Sequence, residues 1–282
     1  MKRVSRDFSQ VDVFSSIPMR GNPLAVVLEA EGLSDQDMQA LASWTNLSET
    51  TFLLPPRNDL ADYRVRIFTP GGELPFAGHP TLGSAHAWLE SGGEPKDPTL
   101  IIQECEAGLI QVRRDDQGTL AFRAPERIRT GPLDSKTLEY LCAGLGIEAS
   151  AVIDHQWVDN GPGWAALQLG SANEVLALEP NFGAIPDVML GVIGAYPKGS
   201  ETDYEIRSFA PRIGVNEDPV TGSLNASVAQ WFFEKGEAKQ SYSVIQGRQL
   251  GRNGLVHLSV DAEGASWVGG ATTTVIRGAA HL

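Results

Sequence analysis

Most of the chain reads as short runs of period-two hydrophobicity, interrupted by a few runs of helical period. Tyr63, Val65 and Ile67 alternate with Arg64, Arg66 and Phe68, which predicts a strand. Val11 to Phe14 and Leu24 to Leu28 predict two more, on either side of the turn signal Gly21-Asn22-Pro23. Met38, Leu41 and Ala42 recur at helical spacing behind Ser34-Asp35-Gln36-Asp37, a stretch of capping-box character, so a helix is expected to about Thr45. Asn46 to Glu49 then forms a loop into a further strand, with Glu49 at its mouth. Strands are expected at Leu100 to Glu104, Leu109 to Arg113 and Thr119 to Arg123, and Pro125 to Pro132 reads as a linker. Past it come a helix from near Ser135 to Gly144 or Gly146, strands at Val152 to Val158 and Trp164 to Leu169, and a short helix at Asn173 to Leu178. Strands at Val188 to Ala195 and Tyr204 to Phe209 follow, with a closing series near Ser243 to Gln246, Leu255 to Val260, Ser266 to Val268 and Thr272 to Ile276.

Two runs break this alternation. Thr81 to Trp88 holds only Ser84 and His86 as polar positions after the first turn, and Leu224 to Phe233 is similarly apolar or small nearly all round. A helix of that kind is buried rather than amphipathic. Pro80 suits the first turn of the former, and Ser223 is expected to cap the latter. Each run follows a copy of one motif. Asp62, Tyr63, Val65, Arg66, Phe68 and Pro70 face Asp203, Tyr204, Ile206, Arg207, Phe209 and Pro211 at one offset of 141 residues (203 minus 62), and five of the six pairs are identical. Fixed-offset identities of Arg, Phe and Pro do not arise from period-two patterning alone, so the chain is read as two related halves. Many strands and one buried helix per half predict an α+β fold: two pseudo-symmetric domains, each a β-barrel-like sheet wrapped around a central helix. The halves are placed at residues 1–126 and 127–282, with the final strand near 272–282 able to return to the first, and the active site is expected in the cleft where they face each other.

Composition narrows the function classes. The 282 residues carry a net charge of −13, which argues against a nucleic-acid partner but leaves room for a small anionic metabolite in a local positive pocket. No apolar stretch approaches signal-peptide or membrane length, so no membrane partner is expected. Cys105 and Cys142 lack metal spacing and are read as reduced and buried, in a cytoplasmic protein. No Gly-x-Gly-x-x-Gly follows a strand and no Walker motif is present, so a nucleotide cofactor has no local support. Nor is there a Gly-x-Ser-x-Gly elbow, and the spacing of His79 and His86 gives weak support for a metal. No metal and no cofactor are expected.

What remains is a set suited to moving a proton on carbon. The buried helices start at Gly78-His79 and Gly222-Ser223, where free backbone N–H groups and the helix dipole favour an anion and glycine admits a ligand to the backbone. Two ordinary capped helices would carry the same residues. Glu49, at a loop entering an apolar strand, is either a solvated glutamate or a partly desolvated general base. Asp218 is either a cap or a substrate contact, and His79 is a better candidate for proton transfer near neutral pH than His86, His155, His257 or His281.

The motifs Val11-Asp-Val-Phe14, Gly21-Asn22-Pro23, Asn46-Leu-Ser-Glu49-Thr, Arg66-x-Phe-Thr-Pro70, Glu73-Leu-Pro-Phe-Ala-Gly78-His79-Pro-Thr81, Glu217-Asp218-Pro-Val-Thr-Gly222-Ser223 and Gln246-Gly-Arg-Gln-Leu-Gly-Arg252 together resemble the PhzF-like family of phenazine-biosynthesis isomerases. The resemblance implies the diaminopimelate-epimerase-like fold, a homodimer, and cofactor-independent isomerisation of a small, unsaturated, carboxylate-bearing metabolite. It implies Glu49 as the acid/base, His79, Asp218 and Ser223 as substrate contacts, and the amides of Gly78 and Gly222 at the carboxylate. Related racemases place cysteines before the two helices, where this chain has Ala77 and Pro219, which disfavours a two-thiol amino-acid epimerase or racemase. Asn225 stands where many members have histidine. The alternatives are an amino-acid epimerase or racemase that uses Glu49 and Asp218 as its two bases, and a non-catalytic member that binds a metabolite or a protein.

Overall fold

In the computed structural model, which describes residues 4–282, the period-two runs form strands and the two runs apolar all round form buried helices. Met1, Lys2 and Arg3 lie outside the described residues. Residues up to Arg123 together with Gly269–Leu282 make one compact unit, and Ala124–Val268 make the other. No described helix is long and apolar enough to cross a membrane.

The first unit runs β1 (Ser5–Val13), β2 (Asn22–Val27), α1 (Asp35–Thr45), β3 (Thr50–Leu54), β4 (Tyr63–Thr69), β5 (Gly72–Leu74), α2 (Gly78–Glu90), β6 (Leu100–Cys105), β7 (Gly108–Arg114) and β8 (Leu120–Arg123). β1 pairs antiparallel with β2, β2 parallel with β3 across α1, β3 antiparallel with β4, and β4 parallel with β6 across α2. The second unit runs α3 (Ser135–Leu145), β9 (Val152–Trp157), β10 (Ala165–Leu169), α4 (Ala172–Leu176), β11 (Leu190–Ala195), β12 (Tyr204–Ala210), β13 (Val215–Asp218), α5 (Gly222–Glu234), β14 (Ser241–Gln246) and β15 (Gly254–Val260). It repeats the plan. β10 is parallel to β11 across α4, β11 antiparallel to β12, and β12 parallel to β14 across α5. β16 (Ser266–Gly270) follows, and β17 (Thr272–His281) pairs antiparallel along the whole of β1. The fold is the α+β, pseudo-symmetric architecture expected from the duplication.

In each unit one helix lies inside the sheet and the others cover its outside. α2 touches β1, β2, β3, β6, β7, β8 and β17, and every residue from Gly78 to Ala85 is buried. Its buried hydroxyls are satisfied internally. Ser84 Oγ donates to Thr51 Oγ1 (2.9 Å), and Gln103 Nε2 donates to Thr81 Oγ1 (3.0 Å) while accepting from the Tyr63 hydroxyl (2.9 Å). Leaving such a group unmet costs about 1–3 kcal/mol. α1 covers the other face through Met38 and Ala42 on Phe52 and Phe68, and α3 and α4 do likewise through Leu141, Leu145 and Val175 on Leu167, Leu190 and Phe209.

The repeated identities each carry a contact. Arg66 makes a two-point bond to Glu73 (Nε to Oε1 2.7 Å, Nη2 to Oε2 2.6 Å), and Arg207 makes the same bond to Glu217 (2.9 Å at both points). The guanidinium carbon sits 5.1 Å from the Phe68 ring centre in one copy and 5.0 Å from that of Phe209 in the other. Tyr63 packs on Trp88 and Tyr204 on Phe232, with ring centres 5.2 Å apart in both, which ties the motif strand to its buried helix.

Three local features differ from the sequence reading or add to it. The stretches after Pro70 and Pro211 return as the short strands β5 and β13, paired antiparallel with β4 and β12. Their Gly and Pro residues make the turns that let the strand fold back. Ser223 does not cap α5. The helix begins at Gly222, the cap position is Thr221, and the Thr221 hydroxyl donates to Asp218 Oδ2 (2.5 Å) instead of capping. β1 and β17 are longer than their apolar patterns because backbone pairing carries them into exposed positions.

Burial separates the two arginines. The Arg207 side chain is 5% exposed and also donates to the carbonyls of Val175 and Leu178, whereas Arg66 is 22% exposed. Arg207→Gln should therefore lower the unfolding free energy by about 3–5 kcal/mol, because it strands a buried carboxylate. Arg66→Gln should lower it by about 1 kcal/mol or less. Paired urea titrations check this, and equal losses would contradict it. A second expectation concerns Glu205, fully buried on β12, accepting from the Tyr196 hydroxyl (2.6 Å) with Arg248 Nε 3.6 Å away. Burial pushes its carboxyl up to about 7. The folded chain then holds this proton more tightly than the unfolded one, near 4.3, so its contribution to stability is full below about pH 4 and is lost as pH rises through 7. Glu205→Gln should flatten that part of the Tm–pH curve between pH 5 and 8, and parallel curves for the two proteins would refute the assignment.

Candidate active site

In the first unit, α1 ends on Asn46, which adopts the left-handed conformation (φ 54°) that stops a helix. Three residues later Glu49 stands immediately ahead of β3. β3 is held in place on one side by β2, through the Ala25–Thr50 register, and on the other by β4. The Glu49 side chain is 15% exposed. His79, on the first turn of α2, is 5% exposed, and its Nε2 lies 3.3 Å from Glu49 Oε2. The structure thus brings together the expected base and the expected histidine from positions thirty residues apart (79 minus 49).

The electrostatics of the pair differ from the expectation for His79. Burial pushes the imidazole down to about 3, so the ring is neutral at physiological pH even beside a carboxylate. Its Nδ1 is 3.4 Å from Asn22 Nδ2, and among the described residues Nε2 has no aligned hydrogen-bond partner. Gly78 opens α2, and the residue at the cap position, Ala77, has no polar side chain, so the first turn is uncapped. Asn22 carries no recognisable signal beyond the Gly-Asn-Pro turn. Gly21 is required there, because a Cβ on it would lie 2.0 Å from the Val13 carbonyl oxygen.

In the second unit, Gly222 opens α5, which also lacks a capping side chain. Asp218 ends β13, opposite Ser208 on β12. Ser223 Oγ accepts from Trp164 Nε1 (3.1 Å), and its carbonyl accepts from Asn160 Nδ2 (3.0 Å). Asp159 holds the loop that delivers these two residues, accepting from the amides of Gly161 and Gly163. Behind the helix start, Gln246 accepts from the Thr221 amide and from Asn225 Nδ2, and donates to Thr221 Oγ1. Asn225, fully buried, is a strut of this first turn. Trp164 and Asn160, which meet Ser223, and Gln246, which meets Thr221 and Asn225, are residues to which reading the sequence gave no role here. A Gly-Pro-Gly loop signals a turn but not its partner.

The remaining candidates resolve into structural roles. His86 Nε2 lies 3.1 Å from the Thr274 hydroxyl and 3.4 Å from Glu90, and His155 Nδ1 accepts from the Leu133 amide. Cys105 and Cys142 are free and buried, and burial pushes both thiols up, away from nucleophilic use. A depression of about 540 Å³ in the second unit, lined by Arg129, Trp157, Asp159 and Arg212 among others, contains none of the predicted site residues.

Comparison with known proteins bears on this geometry. A sequence profile of the family described as phenazine biosynthesis-like protein matches residues 11–280. A Schizosaccharomyces pombe protein named antisense-enhancing sequence 1 is 40% identical over 295 residues, 98% of each chain. A Pseudomonas fluorescens protein named trans-2,3-dihydro-3-hydroxyanthranilate isomerase is 35% identical over 250 residues, 87% of each chain. A crystal structure of a PhzF-family phenazine biosynthesis protein from Enterococcus faecalis superposes with a TM-score of 0.82 at 24% identity, covering 99% of this chain and 100% of that one, and so shares the fold.

The neutral state of His79 is open to direct measurement. Its imidazole resonances should show no titration between pH 8 and 4. The lowered value also means that folded stability at this group is full above about pH 6.5 and is lost as pH falls toward 3. A midpoint near 6.5 in ¹⁵N NMR would instead show an imidazolium paired with Glu49.

Proposed function

This chain belongs to the phenazine biosynthesis-like family, an isomerase family, and from that premise we propose that it shifts a proton between two carbons of a small, unsaturated, carboxylate-bearing metabolite, with Glu49 as the acid/base and no cofactor. The observation that carries this reading is the Glu49–His79 pair, a half-buried carboxylate 3.3 Å from a buried neutral imidazole at an uncapped helix start. Glu49 as carboxylate takes a proton from one carbon. The C–H electron pair moves into the conjugated system and toward its oxygens, and Glu49, now protonated, returns the proton to a second carbon. No electron is gained or lost overall. Donors fixed beforehand stabilise the charge that develops, a contribution of about 3–4 kcal/mol per donor in well-studied oxyanion sites. The proposed donors are His79 Nε2–H and the backbone amides at the starts of α2 and α5. Asp218 and Ser223 are proposed substrate contacts, and the metabolite is a small anion.

The buried, unactivated thiols and the absence of sulfur at residues 77 and 219 support an isomerase over a two-thiol racemase. The 40% identical relative has a name that specifies no reaction, so the experiment includes an arm for a protein that only binds.

Wild type and Glu49→Gln are incubated in deuterated water with trans-2,3-dihydro-3-hydroxyanthranilate and a panel of unsaturated amino and hydroxy carboxylates, and deuterium uptake is read by mass spectrometry. Wild type should incorporate label, and the variant should do so at least about 100-fold more slowly, the usual scale of a general acid/base. Equal uptake would remove Glu49 from the mechanism. Binding of a panel compound without uptake would favour the binding-protein reading, and exchange at the α-carbon of both enantiomers of an amino acid would favour an epimerase.

A further inference from the structure

Behind the Glu49–His79 pair lies a third group. Asn22 is fully buried at the start of β2, and its Nδ2 sits 3.4 Å from His79 Nδ1. An amide nitrogen can only donate, so the facing imidazole nitrogen has to present its lone pair. In a neutral ring the proton then resides on Nε2, the nitrogen that faces Glu49. The backbone that carries Asn22 is held in place. The turn before it is clamped by Asp12, 1% exposed, whose Oδ2 accepts from the backbone amides of Arg20 (2.8 Å) and Gly21 (2.9 Å). Gly21 lies against the Val13 carbonyl with no space for a side chain. Asp12, Asn22 and His79 are therefore linked through buried contacts, and the last of them ends 3.3 Å from Glu49.

We propose that Asn22 is a positioning residue for the reaction: it fixes His79 as the Nε2–H tautomer, so that His79 serves as a stationary hydrogen-bond donor beside Glu49 and not as a second proton carrier. The proposal rests on the assignment of Glu49 as the acid/base. His79 Nε2–H, buried and without an aligned partner among the described residues, is then available to an oxygen of the substrate or to the Glu49 carboxylate after it has given up its proton. The lone pair on Nδ1 is held by Asn22 and cannot collect a proton from the substrate carbon.

The tautomer is measured without substrate, by long-range ¹H–¹⁵N correlation spectra of the full chain with its histidines labelled. Wild type should show His79 protonated on Nε2 alone. Asn22→Asp replaces the donor with a carboxylate acceptor, so His79 should switch to the Nδ1–H form, and deuterium uptake should fall about 100-fold with little change in KM. His79→Gln leaves Asn22 and its turn intact and places an amide N–H near the position of Nε2. It should keep more activity than His79→Phe by about tenfold or more, and this comparison keeps the proposal falsifiable if Asn22→Asp does not fold. An Nδ1–H tautomer in wild type, an unchanged tautomer in Asn22→Asp, a switched tautomer with undiminished turnover, or equal losses in His79→Gln and His79→Phe would each overturn it. Failure of the Glu49 assignment shows separately, as retained uptake in Glu49→Gln.

Discussion

A helix enclosed on every side sets the terms for each unit of this protein. Its first turn presents backbone donors with no intrahelical acceptor, and neither α2 nor α5 supplies a side-chain cap. Its length has to be built from small and apolar residues, and each polar group inside needs a partner within the sheet. Thr81, Gln103 and Tyr63 form one such set, and Asn225, Gln246 and Thr221 form another. Space is equally constrained. A Cβ on Gly83 would come within 2.6 Å of Leu24, and one on Gly191 within 2.6 Å of Leu224. At the start of α2 these conditions meet a buried polar side chain, His79, whose Nε2 has no aligned partner among the described residues.

The two copies keep the scaffold and differ in what stands on it. Arg66 and Arg207 make the same two-point bond, yet their glutamates lie seven and ten residues downstream. The offset of 141 that aligns the copies through Pro70 and Pro211 becomes 144 from Glu73 and Glu217 onward (217 minus 73), and stays so to Gly78 and Gly222. The extra three residues are taken up by the turn at Pro211–Ile213 and by Gly214 in the left-handed conformation, ahead of β13. Beyond that insertion the chemistry diverges. One helix start carries an imidazole near a carboxylate, and the other carries a hydroxyl held by an indole, with a buried amide in its first turn.

That insertion also explains what was legible in the sequence. Strands with clean alternation, the capping box at Ser34 and Asp37, and the two buried helices were readable because one local rule decides each of them. Beyond the single offset the duplication was readable only as a glycine opening a buried helix in each half, so the pairing of Glu73 with Glu217 and the short return strands were hidden. Glu49 and His79 were legible as candidates, but their proximity depends on β3 lying beside β2 and on α2 threading the same sheet. Trp164 and Asn160 reach Ser223 from about sixty residues away (223 minus 164 is 59), through a loop whose sequence specifies a turn and nothing about its target. Contacts of that kind are set by tertiary packing and leave no periodicity to read.

Burial gives His79 a charge state that its residue type alone does not suggest. From its type and position it read as a group that exchanges protons near neutral pH, yet enclosure of the helix removes the water that would stabilise an imidazolium, and the carboxylate 3.3 Å away does not compensate for it. For a reaction in which one carboxyl group carries a proton from carbon to carbon, this is an advantage. A second titratable group within reach of the proton would compete for it in mid-transfer and release it to solvent. An imidazole held neutral, and with its lone pair engaged on the far side as proposed, would keep the dipole that stabilises charge and give up the capacity to accept the proton. The burial required by the fold thereby separates the two functions that a histidine usually combines, and in the proposed reaction it leaves proton transfer to Glu49.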